Sequence, residues 1–409
     1  MKKRILFGLA GLVVIAVAYY GSVEYFFWQW ESPHEPLPEG TYELTQSETL
    51  STDHAAIADS LQAEMEALAK AEQTVSISGA VAIGGSPAWA GTVGFAQIEK
   101  GVPANTSSQY RIGSVSKSLT ATALMQLVEK GQIDLDADVR TYLPDYPGYD
   151  TPMTTRQLAS HMAGVRHYNV DLTLFPPTDA YGDEHFATTL DATRLFRDDA
   201  LLFNPGEGFS YSTHGYTLLS AVMAAAAEKP FLEIMSEQIF DPLGMEYSSA
   251  KDRTKGLPGL VNFYYAGGGL FGPSYPVDLS NKWAGGGLVS TPTDLVKFGA
   301  AVLNGQLLDP AARQTMVSRQ RMADGSDNPQ AYALGWRHHK TIHILGEDSP
   351  VDVIHHGGTS VGGAAFLLLV PEYDIVVAYL TNGRTETIRG ELQMLAYRSV
   401  KMILDASQQ

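Results

Sequence analysis

Ser114 and Lys117 lie three positions apart and form the S-x-x-K pattern, in which a serine can act as a nucleophile. The sequence around this pair predicts a short strand at 110–112 and a helix over 114–130. Residues three apart share one face of a helix, so the amine of Lys117 can reach the hydroxyl of Ser114. Partial desolvation would lower the pKa of the lysine, and its neutral amine could then take the serine proton. The same pattern also fits a serine at a helix N-terminus followed by a surface lysine.

The composition excludes several other function classes. The chain has 409 residues and a formal net charge of −17, from 28 basic and 45 acidic side chains. A nucleic-acid-binding protein needs a basic face, so this charge argues against nucleic acid as a partner. There is no cysteine, which excludes disulfides, thiolate metal sites and cysteine nucleophiles.

No sequence pattern indicates a metal or a cofactor. His338, His339 and His343 cluster without an H-E-x-x-H motif or a carboxylate at useful spacing, so we predict no metal site. The glycine runs at 267–269 and 285–287 lack the strand and helix context of a nucleotide-binding loop. The G-x-S-x-G turn of the α/β-hydrolases is also missing from the sequence. We therefore expect chemistry that requires no cofactor.

The first thirty residues predict export from the cytoplasm. A basic start at positions 2–4 precedes an apolar run from Ile5 to about Tyr20. The small residues at 16–18 fit a signal-peptide cleavage site, whereas aromatic residues continuing to Trp30 favour an uncleaved anchor at a membrane interface. We expect residues 1–30 to be a signal anchor or signal peptide. They would place the protein in the periplasm or another extracytoplasmic space, with the membrane as a partner of the N-terminal segment.

The rest of the chain is predicted to be a short linker followed by one large domain. Residues 31–50 are rich in Pro, Glu and Thr and are predicted to be the linker, and 51–409 the domain. Strand patterns occur near both ends of the domain, and helical patterns with Pro- and Gly-rich loops fill about 134–330. The predicted elements are helices at 52–72, 155–161, 216–227, 231–239, 292–304 and 387–404, and strands within 75–96 and at 332–338, 341–345, 351–355, 364–369 and 375–381. This order predicts an α+β fold, with one sheet built from distant parts of the chain and a helical insert between them.

The stretch YRIGSVSKSLTA at 110–121 closely resembles the β-lactamase-related serine hydrolases. That family includes class C β-lactamases, D-alanyl-D-alanine carboxypeptidases, D-aminopeptidases and family VIII carboxylesterases. Four more stretches resemble family motifs in the same order: TRQLASHMAGV at 155–165, PGEGFSYST at 205–213, AGGGLVST at 284–291 and HGGT at 356–359. The resemblance covers about 75–404. It implies a β-lactamase/transpeptidase-like fold, an antiparallel sheet with flanking helices and an inserted α-helical domain, and hydrolysis through a serine acyl-enzyme.

The resemblance also implies roles for individual residues. Tyr211 matches the tyrosine of the family's Y-x-N element, whose phenol can pass a proton to the leaving group. The H-G-G element stands where many relatives have K-T-G, and Gly358 would let substrate approach the strand closely. The backbone N–H of Thr359 would pair with that of Ser114 as an oxyanion hole.

Two positions depart from the family pattern. Thr213 replaces the usual asparagine and offers one hydroxyl instead of a carboxamide, as in the mitochondrial β-lactamase-like serine proteins. His356 replaces the usual lysine, and a histidine is charged only part of the time near neutral pH. The neighbouring His355 is an alternative for that position. We therefore expect an esterase or peptidase acting on a small molecule or peptide, rather than an efficient β-lactamase.

Two other hypotheses stay open at this stage. The protein could be a catalytically silent sensor that resembles a penicillin-binding protein, or a membrane-tethered scaffold. The intact set of Ser114, Lys117 and Tyr211 favours an active hydrolase. The sequence does not determine the natural substrate or the oligomeric state.

Overall fold

The computed structural model describes residues 32–168, 178–182, 184–250 and 257–407, and positions 18, 19, 21, 22, 25 and 28–30. The α-helices are α1 (Ala55–Glu72), α2 (Ser116–Glu129), α3 (Thr155–Ala159), α4 (Thr178–Tyr181), α5 (Thr189–Ala192), α6 (Thr213–Ala227), α7 (Phe231–Met235), α8 (Pro292–Asn304), α9 (Pro310–Val317) and α10 (Ile388–Ala406). The strands are β1 (Glu35–Pro36), β2 (Thr45–Thr49), β3 (Ser76–Ile83), β4 (Ser86–Gln97), β5 (Val102–Pro103), β6 (Tyr110–Arg111), β7 (Ser249–Ala250), β8 (Tyr264–Gly267), β9 (Leu270–Pro273), β10 (Leu288–Ser290), β11 (Arg337–Thr341), β12 (Val351–Ser360), β13 (Gly363–Val370), β14 (Ile375–Thr381) and β15 (Gly383–Arg384).

The central feature is an antiparallel sheet with the strand order β11-β12-β13-β14-β3-β4-β2, and β5 pairs with β4. Strands from both ends of the chain meet where β14 pairs with β3, with Val377 opposite Val81. Alternate residues of a strand point to opposite faces. In β14, Val377 and Tyr379 therefore belong to one apolar core, while Val376 and Ala378 belong to another.

Helices cover both faces of this sheet. On one face, α1 and α10 bury apolar residues such as Leu61 and Leu395 against the strands. On the other face, α8 contributes Phe298 to a core that extends into the helical region around α2 and α6. Helix α2 is buried on nearly all sides, as expected for a helix with apolar or small residues around most of its circumference. The predicted α+β fold, with an antiparallel sheet, flanking helices and an inserted helical region, is confirmed.

Local sequence signals explain the helix that was predicted most accurately. Thr291 precedes α8, and its side chain accepts a hydrogen bond from the backbone N–H of Asp294. Pro292 occupies the first turn, where its missing N–H costs nothing. Gly305 ends the helix with φ of 76°, a left-handed conformation that favours glycine. The observed bounds agree with the predicted 292–304.

Three predictions about local structure were wrong. The segment 31–50, predicted as a linker, contains β2, which pairs with β4 so that Ser47 lies opposite Gly91. The strand predicted at 332–338 begins only at Arg337, because Gly335 turns the chain with φ of 74°. Of the strand predicted at 341–345, only Thr341 belongs to β11, and 342–345 form a bend and a turn after it.

The predicted apolar run from Ile5 to about Tyr20 lies almost entirely outside the described residues. Within the part of the chain that the structure describes, no helix has both the length and the apolar character needed to cross a membrane.

Candidate active site

Ser114 lies in a single 3-10 turn, Gly113–Val115, that leads directly into α2. The predicted α-helix over 114–130 therefore begins two residues later, at Ser116. Gly113 has φ of 49°, and a Cβ atom there would lie 2.7 Å from the backbone nitrogen of Thr359. Glycine is thus required at this position, because it lets the turn that carries Ser114 lie directly against β12.

Lys117 connects three parts of the chain at the base of the site. Its Nζ atom lies 3.1 Å from Ser114 Oγ and 3.1 Å from Thr213 Oγ1. It also donates to the backbone carbonyl of Gly285 at 2.5 Å. The sequence predicted the contact between Ser114 and Lys117, and the structure brings Thr213 to the same amine.

The surroundings of Lys117 favour its neutral form. The side chain is completely buried, and burial disfavours a charged amine. Burial lowers the pKa of Lys117 well below its usual value, and the positive charges of Arg337 and Lys282 lower this pKa further. A neutral amine 3.1 Å from a hydroxyl is arranged to accept that hydroxyl's proton.

Tyr211 lies just before α6 and faces the same amine. Lys117 Nζ is 4.7 Å from the centroid of the Tyr211 ring. Burial raises the pKa of Tyr211 to about 12, while its hydrogen bond to Ser114 and the charges of Arg337 and Arg389 oppose that rise. The phenol is therefore protonated at any ordinary pH and can donate a hydrogen bond or a proton.

Helix α6 fixes the position of Thr213. Ser212 caps the helix, and its hydroxyl accepts a hydrogen bond from the backbone N–H of Gly215. Thr213 is the first helical residue, and its backbone N–H donates to Nδ1 of His167. This arrangement turns the threonine hydroxyl toward Lys117.

Strand β12 forms the other wall of the site. A Cβ atom on Gly358 would lie 2.0 Å from the carbonyl oxygen of Ile112 and 3.2 Å from the backbone nitrogen of Ser114. The strand can therefore lie this close to the nucleophile only with glycine at position 358. Thr359 follows it and lines the cleft together with Ser114.

His356 and His355 lie on opposite faces of β12. His356 is buried on the face toward Tyr211, and its Nε2 atom lies 3.0 Å from the hydroxyl of Tyr332. Burial lowers the pKa of His356 well below its usual value, and the positive charge of Arg337 lowers this pKa further. His355 packs against Phe366 on the opposite face, with ring centroids 5.2 Å apart. His356 thus occupies the position facing Tyr211 and is neutral near pH 7.

The site opens into a cleft of about 870 Å³ between β12 and the helical region. Several of its lining residues escaped the sequence analysis, because no motif marks them: His167, Lys282, Arg337, Arg384 and Arg389. A further residue, His161, lies within a recognised motif but was not singled out. Its ring centroid is 4.2 Å from that of Tyr211.

Among the residues that the structure describes, no three His, Asp or Glu side chains are grouped closely enough to hold a metal ion. His338, from the cluster noted in the sequence, instead contacts Asp352 at 2.8 Å.

The antiparallel sheet, its covering helices and the inserted helical region together define the β-lactamase/transpeptidase-like class of fold. The sequence model of the Beta-lactamase family matches residues 61–397 of this chain. The chain belongs to the β-lactamase family.

Individual relatives agree with this assignment. The chain is 30% identical over 373 residues to the human serine beta-lactamase-like protein LACTB, mitochondrial, with 71% of this chain and 68% of the relative covered. It is also 30% identical over 300 residues to penicillin-binding protein 4 of Amycolatopsis lactamdurans, covering 70% of this chain and 75% of that protein. Among solved structures, the D-amino acid amidase of Ochrobactrum anthropi has a TM-score of 0.71 at 21% identity, covering 86% of this chain and 100% of the amidase. This last likeness shows the fold alone.

Proposed function

We propose that the protein is a serine hydrolase that cleaves an ester or amide bond through an acyl-enzyme at Ser114. One observation carries the proposal: the buried amine of Lys117 lies 3.1 Å from the Ser114 hydroxyl, in surroundings that lower its pKa. A lysine with this environment is suited to act as a base, whereas a surface lysine is not. The family membership agrees with this chemistry.

The first half of the reaction forms the acyl-enzyme. Lys117 accepts the proton of Ser114 as Oγ bonds to the substrate carbonyl carbon. The backbone N–H groups of Ser114 and Thr359 stabilise the negative charge that develops on the carbonyl oxygen. The bond to the leaving group then breaks, and Tyr211 passes a proton to that group and regains one from Lys117.

The second half returns the enzyme to its starting state. A water molecule gives a proton to Lys117, directly or through Tyr211, as its oxygen attacks the acyl carbon. The bond to Ser114 Oγ breaks, and the serine recovers its proton. Thr213 holds the amine of Lys117 in place through both halves. Neither half requires a metal or a cofactor.

Covalent labelling tests the nucleophile directly. The protein would be treated with a fluorophosphonate probe and with a fluorescent penicillin, and peptide mapping would locate each adduct. We expect a fluorophosphonate adduct at Ser114 that is lost in Ser114→Ala. An additional penicillin adduct at Ser114 would place D-alanyl peptides or β-lactams among the substrates.

Ser360 provides a matched control, because it lines the same cleft and its hydroxyl has no hydrogen-bond partner among the described residues. Ser360→Ala should therefore keep the label on Ser114. Loss of labelling in Ser360→Ala with retention in Ser114→Ala would contradict the assignment. Folded protein that reacts with neither probe would instead favour a catalytically silent sensor or scaffold.

We further propose that the protein works outside the cytoplasm, attached or delivered through residues 1–30. The basic positions 2–4 and the apolar run that follows support this proposal. Fractionation of cells that express the full chain would test it. Recovery of the full-length protein in the cytoplasmic fraction would contradict it.

A further inference from the structure

Two histidines supply hydrogen-bond acceptors for the start of α6. Nδ1 of His161 lies 3.1 Å from the backbone nitrogen of Ser212, and Nδ1 of His167 lies 3.1 Å from that of Thr213. The first N–H groups of a helix have no partner within the helix, and a serine, threonine, asparagine or aspartate usually accepts from them. Here two imidazoles accept from the two residues that directly follow Tyr211.

The same two imidazoles contact the ring of Tyr211. The ring centroids of His161 and Tyr211 are 4.2 Å apart, and those of His167 and Tyr211 are 5.8 Å apart with perpendicular planes. The backbone carbonyl of His161 also accepts a hydrogen bond from the N–H of Ser210 at 3.0 Å. The residues before and after Tyr211 are therefore both bonded to His161, and this restricts where the tyrosine can lie.

His161 is a costly residue at its position. Its φ of 64° is a left-handed conformation that side chains rarely adopt. Its Nε2 atom is buried and has no hydrogen-bond partner among the described residues. Both features lower stability, and residues kept for stability alone usually have neither. A cost of this kind is typical of a residue that serves the function of a site.

Both imidazoles accept only in their neutral form. A backbone N–H can only donate, so Nδ1 is the acceptor in each ring and the ring proton lies on Nε2. Burial lowers the pKa of His161 well below its usual value, and the charge of Arg337 lowers this pKa further. Burial lowers the pKa of His167 to about 4, and the charge of Arg166 contributes to this shift. Both acceptors are thus available at neutral pH.

We propose that His161 and His167 are positioning residues for the reaction, and that they hold Tyr211 and Thr213 toward Lys117 through the backbone at the start of α6. This inference rests on the proposed hydrolase function. His161 holds the proton donor to the leaving group, whereas His167 holds the threonine that contacts the base. Displacements of about 1 Å in such groups can lower a rate by about 100-fold.

Substitutions at His161 test its link to Tyr211. Asparagine places an oxygen close to the position of Nδ1 and tolerates the left-handed backbone, whereas leucine has a similar size and no acceptor. The substrates are substituted phenyl butyrates, from 4-nitrophenyl to 4-methoxyphenyl, which share an acyl group and need increasing help from a proton donor. We expect His161→Leu to increase the ratio of kcat/KM for the 4-nitrophenyl ester to that for the 4-methoxyphenyl ester by about 5-fold or more. His161→Asn should restore most of the wild-type ratio, and His161→Gln, whose polar group lies one bond further out, should not.

His167→Leu should give a different result from His161→Leu. Both esters need the base, so we expect kcat/KM to fall by a similar factor for both, about 5-fold to 10-fold. In a Thr213→Val background the same substitution should have little further effect, because the hydroxyl that it would displace is already missing.

Asp309→Ala is the control for a general loss of helix capping. Asp309 accepts from the backbone N–H of Ala312 at the start of α9, and it is not among the residues that line the cleft. Its substitution should lower thermal stability and leave the ester ratio unchanged.

The outcomes separate this inference from the proposed function. Ser114-dependent hydrolysis with an unchanged ester ratio in His161→Leu would overturn the inference and leave the hydrolase intact. An equal change of the ratio in Asp309→Ala would also overturn it, since general loosening would then be the cause. If His161→Leu does not fold, the ratio in His161→Gln compared with that in His161→Asn decides in the same way. Absence of any Ser114-dependent hydrolysis would overturn the proposed function, and the positioning roles with it.

Discussion

The Lys117 amine and the Thr213 hydroxyl lie 3.1 Å apart, joining the helix that begins beside the nucleophile to the helix that begins beside Tyr211. The threonine fits tightly, since a Cβ atom on Gly285 would lie 2.5 Å from its methyl group. Its hydroxyl can accept from the lysine, but it lacks the second donor that an asparagine carboxamide would present to a substrate amide. The geometry therefore supports a role for Thr213 in positioning Lys117 more directly than a role in recognising a substrate amide.

Replacing Thr213 with valine should weaken that positioning. The change keeps the shape of the side chain and removes the hydroxyl, so Lys117 loses one partner. A neutral hydrogen bond contributes about 1 kcal/mol, which predicts a fall in kcat/KM of about 5-fold to 10-fold. Thr213→Ser keeps the hydroxyl and should retain most of the activity. Steady-state kinetics with one ester substrate would measure both, and equal losses in the two variants would argue against the hydrogen bond.

Lys117→Met should abolish turnover and change how stability depends on pH. The unfolded chain binds a proton on this lysine below about pH 10, whereas the folded chain, with its lowered pKa, does not. The wild type therefore loses stability as pH falls through that window, by about 1.4 kcal/mol per pH unit, down to the folded-state pKa of Lys117. The methionine variant lacks this loss, so its stability relative to wild type should increase as pH falls.

Urea unfolding at several pH values between 6 and 10 would measure the difference between the two proteins. Lys282 also has a pKa lowered by burial, to about 7, but its contribution is common to both proteins and cancels. A difference that is constant with pH would show that Lys117 is protonated in the folded protein. The role of this lysine as the base would then be untenable.

Tyr211→Phe should selectively slow the hydrolysis of substrates that have poor leaving groups. With its pKa raised to about 12, the phenol is a proton donor at ordinary pH, and donors of this kind contribute about 100-fold to 10,000-fold. An alkyl ester or anilide needs a proton on its leaving group, whereas 4-nitrophenolate does not. We expect a large loss with the first kind of substrate and a small loss with the second.

Tyr216→Phe is the matched control for this prediction. Tyr216 also lies near Lys117, with the amine 5.4 Å from its ring centroid, but its hydroxyl donates to the backbone of Ala159. Loss of this hydroxyl should lower the stability of the protein. Any accompanying loss of activity should not depend on the leaving group of the substrate. Similar leaving-group dependence in both variants would argue that neither tyrosine acts as the donor.

Replacing each of two adjacent glycines of β12 with alanine should have very different effects on kcat. At Gly358 the new Cβ atom would lie 2.0 Å from the backbone of Ile112, so the strand must move away from Ser114. We expect a loss of more than about 100-fold in kcat, because a displacement of about 1 Å disrupts the reacting geometry. At Gly357 the nearest atom would lie 3.6 Å away, which is ordinary contact. Comparable kcat values for the two variants would refute the close approach of β12.

The sequence predicted which residues meet in the cleft better than it predicted the bounds of the helices and strands. Ser114 and Lys117 belong to one helical turn, so their spacing alone predicts their contact, and Tyr211 and His356 follow from ordered motif resemblance. Arg337 could not be found in this way. Its place in the cleft depends on the pairing of β11 with β12, in which it lies opposite His355, and no local pattern encodes that register.

The error over 31–50 has a similar cause. The sequence of β2, TQSET, has no apolar alternation and is predicted to be a loop. It forms a strand because the edge of β4 offers unpaired backbone groups, and because Trp89 donates from its ring N–H to Ser47. Tertiary contacts rather than local propensity decide its conformation.

The central sheet also determines when the site can form during folding. Ser76 in β3 donates a hydrogen bond to Asn382, 306 positions along the chain, at the junction of the two halves of the sheet. Strand β12, which carries Thr359 against the nucleophile, belongs to the later half. A nascent chain can therefore contain Ser114, Lys117 and Tyr211 and still lack the wall that completes the site. Closing contacts so distant in sequence slows folding, so the site is complete only after the last strands of the sheet have been synthesised and paired.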